Sequence, residues 1–371
     1  MQRAPRMSYK KKHPLFQART TLPLLALSLL LPACGNEDPD ETSDAFPPPC
    51  SGVTGKGTTW LTDPTTGVSS PLRCLASDSD TLSGRFVQSV EEVSEPSTIE
   101  TGTVAHESSR EYFYPISDPF ASHVEAYYIA TEVGIAALRA ASWLQLEPVS
   151  IRTGPFCVAK SMRAGTSITL GRGGMVRDAM DASVVAHEYG HHVISSAFSP
   201  GMEEFSMTLF EGLADYVACH IGTQSPLSAL VRPCGSDATW PEDKVTLSDF
   251  CPGYLQEMQQ MGLDSMCPDE YAVAQQACSE HPNAVEVHDT GLIVSSALLQ
   301  LDTDIGAEVT LAVVLEAMRK FPSGTDFGGL RASMINADKA LFAGAHAVKI
   351  QSEFERRGMT QDVGLIAEEQ L

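Results

Sequence analysis

Residues 181–194 read DASVVAHEYGHHVI. Within this stretch His187-Glu188-Tyr189-Gly190-His191 forms an HExxH pattern. Helical spacing puts His187 and His191 on one face, one turn apart, where both imidazoles can hold one Zn²⁺. Glu188 adjoins the first ligand and points beside the metal, where it can take a proton from metal-bound water. Val184, Val185, Val193 and Ile194 supply the apolar residues that bury such a helix. Two His and a Glu at these offsets arise by chance in about one chain in a hundred of this length. The rest of the ligand set therefore decides the reading.

Catalytic zinc normally takes three protein ligands and leaves one position open for water. A His six residues after His191, with Gly midway, would mark the metzincin pattern; those positions are Ala197 and Ile194. Glu211 lies 20 residues after His191, in FEGLADY, and Asp215 follows it by four. That offset places both carboxylates on one helical face. Leu209, Phe210, Leu213, Tyr216, Val217 and Ile221 give this second helix a buried side, and Ser199-Pro200 offers it a start. Glu211 can then complete the zinc site. Asp215 can accept the free ring N–H of a ligand histidine and fix its tautomer.

HEYGH followed by EGLAD resembles the gluzincin metallopeptidases, specifically those similar to thermolysin and fungalysin. The 19 residues between His191 and Glu211 match the thermolysin-type spacing, and DASVVAHEY is similar to the fungalysin-type approach to the zinc helix. The related zinc aminopeptidases usually have one residue fewer and a Gly-Ala-Met-Glu-Asn segment, which this chain lacks. VHDTGLIVSSALLQL resembles the His-x-x-Gly segment that opens a helix in the group, and LRASMINADKALFAG with FERRGM resembles its C-terminal helices. The likeness covers roughly residues 118–371. It implies zinc ligation by His187, His191 and Glu211, a general base at Glu188, a supporting carboxylate at Asp215, and an oxyanion-binding His288. Three departures stand out: Met202 replaces a frequent Tyr, GTSITLGRGG lacks the Asn-Ala substrate clamp, and residues 50–117 are too few for a large inhibitory prosegment. Thr166–Leu170 remains a candidate strand for pairing with an extended peptide.

Residues 1–20 carry Arg3, Arg6, Lys10, Lys11, Lys12 and Arg19 and no acid, and an apolar run from Leu22 to Leu31 leads to Pro32-Ala33-Cys34. This is a secretory signal peptide over residues 1–33, too short to span a bilayer as a mature helix. Leu31 and Ala33 before Cys34 resemble a bacterial lipobox, which implies a lipidated Cys34 as the mature N-terminus. Gly35 at the next position carries no inner-membrane retention signal, so outer-membrane sorting is the expectation. Residues 34–49 then read as an acidic, Pro-rich tether.

The full chain has 371 residues and a net charge of −22, with 25 Lys and Arg against 47 Asp and Glu. Removing residues 1–33 leaves 19 cations against the same 47 acids, a net −28. Such a chain has no clustered cations for nucleic acid, and its membrane contact is expected only through the lipid at Cys34. The acidic surplus is compatible with bound calcium, but no EF-hand-like loop supports it. Eight cysteines remain after Cys34, an even number in an oxidising compartment, and none forms a CxxC pair. Disulfides are therefore expected, with the pairing open.

Residues 50–117 are rich in Ser, Thr, Gly and Val, with alternating runs GRFVQSV and TGTVAH, and read as a small β-rich region. Residues 118–371 form the zinc domain. The zinc helix is expected at about 181–195 and the third-ligand helix at about 200–221. A loop-rich Cys- and Pro-containing connection follows over 223–286, then a helical part over 287–371. The fold expected is α+β: a thermolysin-like zincin with a β-containing N-terminal part, a mostly helical C-terminal part, and the active-site cleft between them. The expected function is metalloendopeptidase action on proteins or peptides with one catalytic zinc. The alternative is a non-catalytic cell-surface lipoprotein that keeps zinc as a cross-link in a binding module.

Overall fold

The computed structural model describes residues 50, 52–60, 67–93, 104–154, 162–171, 178–198, 206–220, 237–239, 244–260, 262–322 and 326–360. The signal peptide, Cys34 and the tether lie outside them, as do Cys157, Cys234, Met202, Ser199-Pro200 and the GRGG residues 172–174.

The N-terminal part is built on two sheets. Strands β1 (Val53–Thr59), β2 (Val68–Leu75) and β4 (Glu111–Tyr112) form the first, in the order β2-β1-β4. A disulfide between Cys50 and Cys74 closes it against the start of the described chain. The second sheet has the order β3-β5-β7-β6, from β3 (Val87–Glu92), β5 (Val149–Thr153), β6 (Met162–Ala164) and β7 (Ser167–Leu170). β3, β5 and β7 run parallel, and β6 returns antiparallel along β7. Val149, Ile151, Ile168 and Leu170 are fully buried while Ser150 and Arg152 are not. This two-residue alternation turns one face of the sheet onto the helices.

Helix α1 (Pro119–Ala140) packs against both sheets. Asp118 starts it by accepting the Phe120 amide at 2.9 Å, and Pro119 fills the first turn. It is buried nearly all round, as suits a helix enclosed by protein. Its polar groups are therefore matched inside: the buried Glu125 carboxylate accepts the Trp60 amide at 3.0 Å, and the Tyr127 hydroxyl donates to the Arg73 carbonyl at 2.9 Å. Helix α2 (Ala182–Ala197) is capped by Asp181, which accepts the Ser183 amide. Helix α3 (Met207–His220) lies against α2.

Three helices occupy the stretch after α3: α4 (Leu247–Gln260), α5 (Leu263–Met266) and α6 (Pro268–Glu280). This corrects the loop expected over 223–286. Pro252 sits in the second turn of α4, where it costs one backbone bond. The Cys251–Cys278 disulfide cross-links α4 to α6, supplying what their sparse apolar residues do not. Cys219 and Cys267 are disulfide-bonded as well, so the oxidised cysteines expected from the sequence are present. The chain ends in α7 (Val287–Ile305), α8 (Ala307–Arg319), α9 (Phe327–Phe342) and α10 (Ala347–Arg356). No helix among the described residues is long and apolar enough to cross a membrane.

Two further expectations are corrected. TGTVAH contributes only a single bridge, His106 to Thr81, among its described residues. Thr166–Leu170 is not a free edge, because β7 is paired on both sides. A two-residue turn with Gly165 at φ +63° folds β6 back onto it, a left-handed backbone that Gly adopts without strain.

The helices that matter most meet at backbone distance. A Cβ on Gly212 of α3 would lie 2.4 Å from the Gly291 carbonyl oxygen of α7 and 2.7 Å from Val294 Cβ. A Cβ on Gly190 of α2 would stand 3.1 Å from the Ala214 carbonyl oxygen of α3. Gly212→Ala should therefore push α3 off α7 and cost about 1–3 kcal/mol, the usual penalty of overpacking. Denaturant unfolding measures it, and an unchanged midpoint would mean that the crossing has slack.

Candidate active site

Helical spacing on α2 brings the His187 and His191 rings within 4.6 Å of each other, at 84°. The same spacing on α3 presents Glu211 and Asp215 to them. Glu211 Oε2 lies 3.0 Å from His187 Nε2 and 3.3 Å from His191 Nε2. Asp215 Oδ1 lies 2.8 Å from His187 Nδ1. Since a carboxylate only accepts, His187 Nδ1–H donates to Asp215 and leaves Nε2 facing inward. Glu188, His191, Glu211 and Asp215 are all buried.

His288 approaches from the first turn of α7. Its Nε2 stands 3.6 Å from Glu211 Oε2, and its Nδ1 is 2.8 Å from Glu286 Oε1. Glu286 is buried and also caps α7 by accepting the Asp289 amide. One carboxylate thus starts the helix and aims the imidazole. The structure brings together all six residues picked out within the chain for this site: His187, Glu188, His191, Glu211, Asp215 and His288.

The electrostatics are those of a tightly paired cluster. Burial opposes the charged form of Glu211, but the hydrogen bonds to His187 and His191 outweigh it and hold its carboxyl well below the usual carboxylate range. Burial also opposes protonation of His187, yet its bonds to Asp215 and Glu211 raise it well above an ordinary imidazole. Burial pushes the Glu188 carboxyl up, against the pull of the neighbouring histidines.

His187, His191 and Glu211 offer ligand atoms that all lie within 4.8 Å of one another. Ligands on a tetrahedral ion with bonds of about 2.0–2.1 Å are spaced about 3.3 Å apart, close to the 3.0 and 3.3 Å observed from Glu211 to the two imidazoles. Two imidazoles and one carboxylate are also a known donor set for catalytic zinc. The residues fit the metal.

No family model matches the chain, and no curated protein does. Among solved structures it is similar to the precursor of protealysin, a metalloproteinase from Serratia proteamaculans. The match has a TM-score of 0.50 at 13% identity, and covers 73% of this chain and 87% of the other. The chain shares the fold of that structure. The α+β architecture expected from the sequence, β-rich at the N-terminal side and mostly helical at the C-terminal side, is the one found.

Five further histidines have partners away from this cluster. His192 Nε2 donates to the Glu147 carbonyl at 2.9 Å. His220 lies 3.3 Å from Asp302, and His346 is 2.8 Å from the fully buried Asp338. His123 faces the Thr153 hydroxyl at 3.0 Å, and His106 sits by Asp80 at 3.2 Å. Two residues at the metal cluster were missed by sequence reasoning. Glu286 could have been found as an acid just before a helical His. Phe210, whose ring lies 4.3 Å from that of His191, looked like one more apolar position on α3.

Proposed function

We propose that the protein is a zinc-dependent metalloendopeptidase that hydrolyses internal peptide bonds of proteins in the cleft between its β-rich and helical parts. The observation that carries this is the convergence of His187, His191 and Glu211 beside a buried Glu188. His187, His191 and Glu211 would hold the metal. When bound, zinc supplies Lewis-acid polarisation and makes water a nucleophile near neutral pH.

The chain's own groups supply the rest. Asp215 accepts the His187 Nδ1 proton, which fixes the tautomer and keeps Nε2 available. Glu188 takes the proton from the attacking water and hands it to the leaving amine. His288 Nε2 donates to the oxyanion that develops on the scissile carbonyl. Glu286 holds the other ring nitrogen, Nδ1, at 2.8 Å and so orients the imidazole for this contact.

Glu188→Gln should keep one zinc per chain and lose about 10²–10⁴-fold in cleavage of a protein such as casein, the usual contribution of a positioned acid–base group. Wild-type turnover by this variant would rule out the mechanism. Metal uptake without turnover by the unaltered chain would favour a zinc-containing binding protein instead.

The N-terminal signal and the Leu-Pro-Ala-Cys sequence at 31–34 further support a lipid-anchored protein of the bacterial cell envelope. Cys34→Ser should abolish incorporation of labelled palmitate and release the protein from the membrane fraction. Unchanged labelling would exclude Cys34 as the anchor.

A further inference from the structure

The two histidines of the cluster are held differently. His187 has a carboxylate on its outer nitrogen, Asp215 at 2.8 Å. His191 turns Nε2 to Glu211 at 3.3 Å, so in a neutral ligand its proton sits on Nδ1. That Nδ1 is buried and has no hydrogen-bond partner among the described residues. Metal-binding imidazoles almost always donate their second N–H, and the acceptor fixes the ring. Here the outer side of His191 lacks that fixture, although the residue is only 6% exposed.

An aromatic ring stands against it instead. Phe210 immediately precedes Glu211 on α3, and its ring centroid is 4.3 Å from that of His191, tilted by 33°. The His187 ring meets His191 edge-on at 4.6 Å. His191 is thus bounded by one tilted ring in close contact and one perpendicular ring. We propose that Phe210 is the positioning residue for His191, fixing by close ring contact the rotamer that a hydrogen-bond acceptor fixes for His187. The inference rests on the zinc reading of the site. It adds that the residue before the carboxylate ligand sets the affinity for the metal without touching it.

The test is the zinc dissociation constant of the full mature chain, measured by competition with a chromophoric chelator. Phe210→Leu keeps the site apolar but removes the ring. It should weaken zinc binding about 10–100-fold, the range found when a partner outside the ligand shell is lost. Phe210→Tyr should restore wild-type affinity. In the Co²⁺-substituted protein the visible bands should shift in the Leu variant and return in the Tyr variant, a readout that general destabilisation does not produce. Metal-free melting curves report whether each variant folds, and Phe210→Met serves as a second ringless variant if Leu does not. Unchanged zinc affinity and unchanged cobalt bands in a folded ringless variant would overturn the proposal while leaving the zinc site intact. A wild-type chain that takes up no zinc would overturn both this inference and the function it rests on.

Discussion

The structure depends on one shared oxygen. Glu211 Oε2 lies within 3.0–3.6 Å of three imidazole nitrogens, on His187, His191 and His288. The carboxylate on α3 thus gathers imidazoles from α2 and α7. Backbone contact at Gly212–Gly291 and Gly190–Ala214 sets the helix spacing, and the apolar layer of Val193, Leu213, Val294 and Leu298 locks it. Burial of the carboxylate in this layer is unfavourable by itself. It is offset by the histidines, which explains why the carboxyl lies far below its ordinary range despite being enclosed.

A second buried acid follows the opposite rule. Glu125 of α1 has a backbone amide as partner rather than a cation. Burial raises its carboxyl to about 7, with Asp181 adding to the rise. Its folded-state proton affinity exceeds that of an unfolded Glu, so its contribution to stability is full below about pH 4.5 and is lost as pH climbs through 7. Two carboxylates in one core therefore ionise at opposite ends of the scale, and the difference is whether a positive group stands beside them.

Much of this was legible in the sequence where the signal is local. The apolar positions of α2 and α3 lie within one or two turns of each other. The HExxH and ExxxD offsets are likewise properties of a single helix. Their convergence was legible only because the resemblance supplied a distance between the two helices. The helical stretch 247–280 was not legible, because Pro252 and the cysteines read as loop while a disulfide does part of the work of a core. The sheet order was missed because a three-residue strand and a Gly165 turn carry almost no pattern. Glu286 carried a local signal that was passed over, two residues before His288, whereas Phe210 meets His191 across two helices and no spacing rule points at it.

X-ray absorption at the zinc edge, on mature protein loaded with one equivalent of metal, tests the central claim most directly. The account predicts two imidazole nitrogens and carboxylate oxygen at about 2.0–2.2 Å, with Glu211→Ala losing the metal. A sulfur shell at about 2.3 Å, or a site that survives the loss of Glu211, would contradict it.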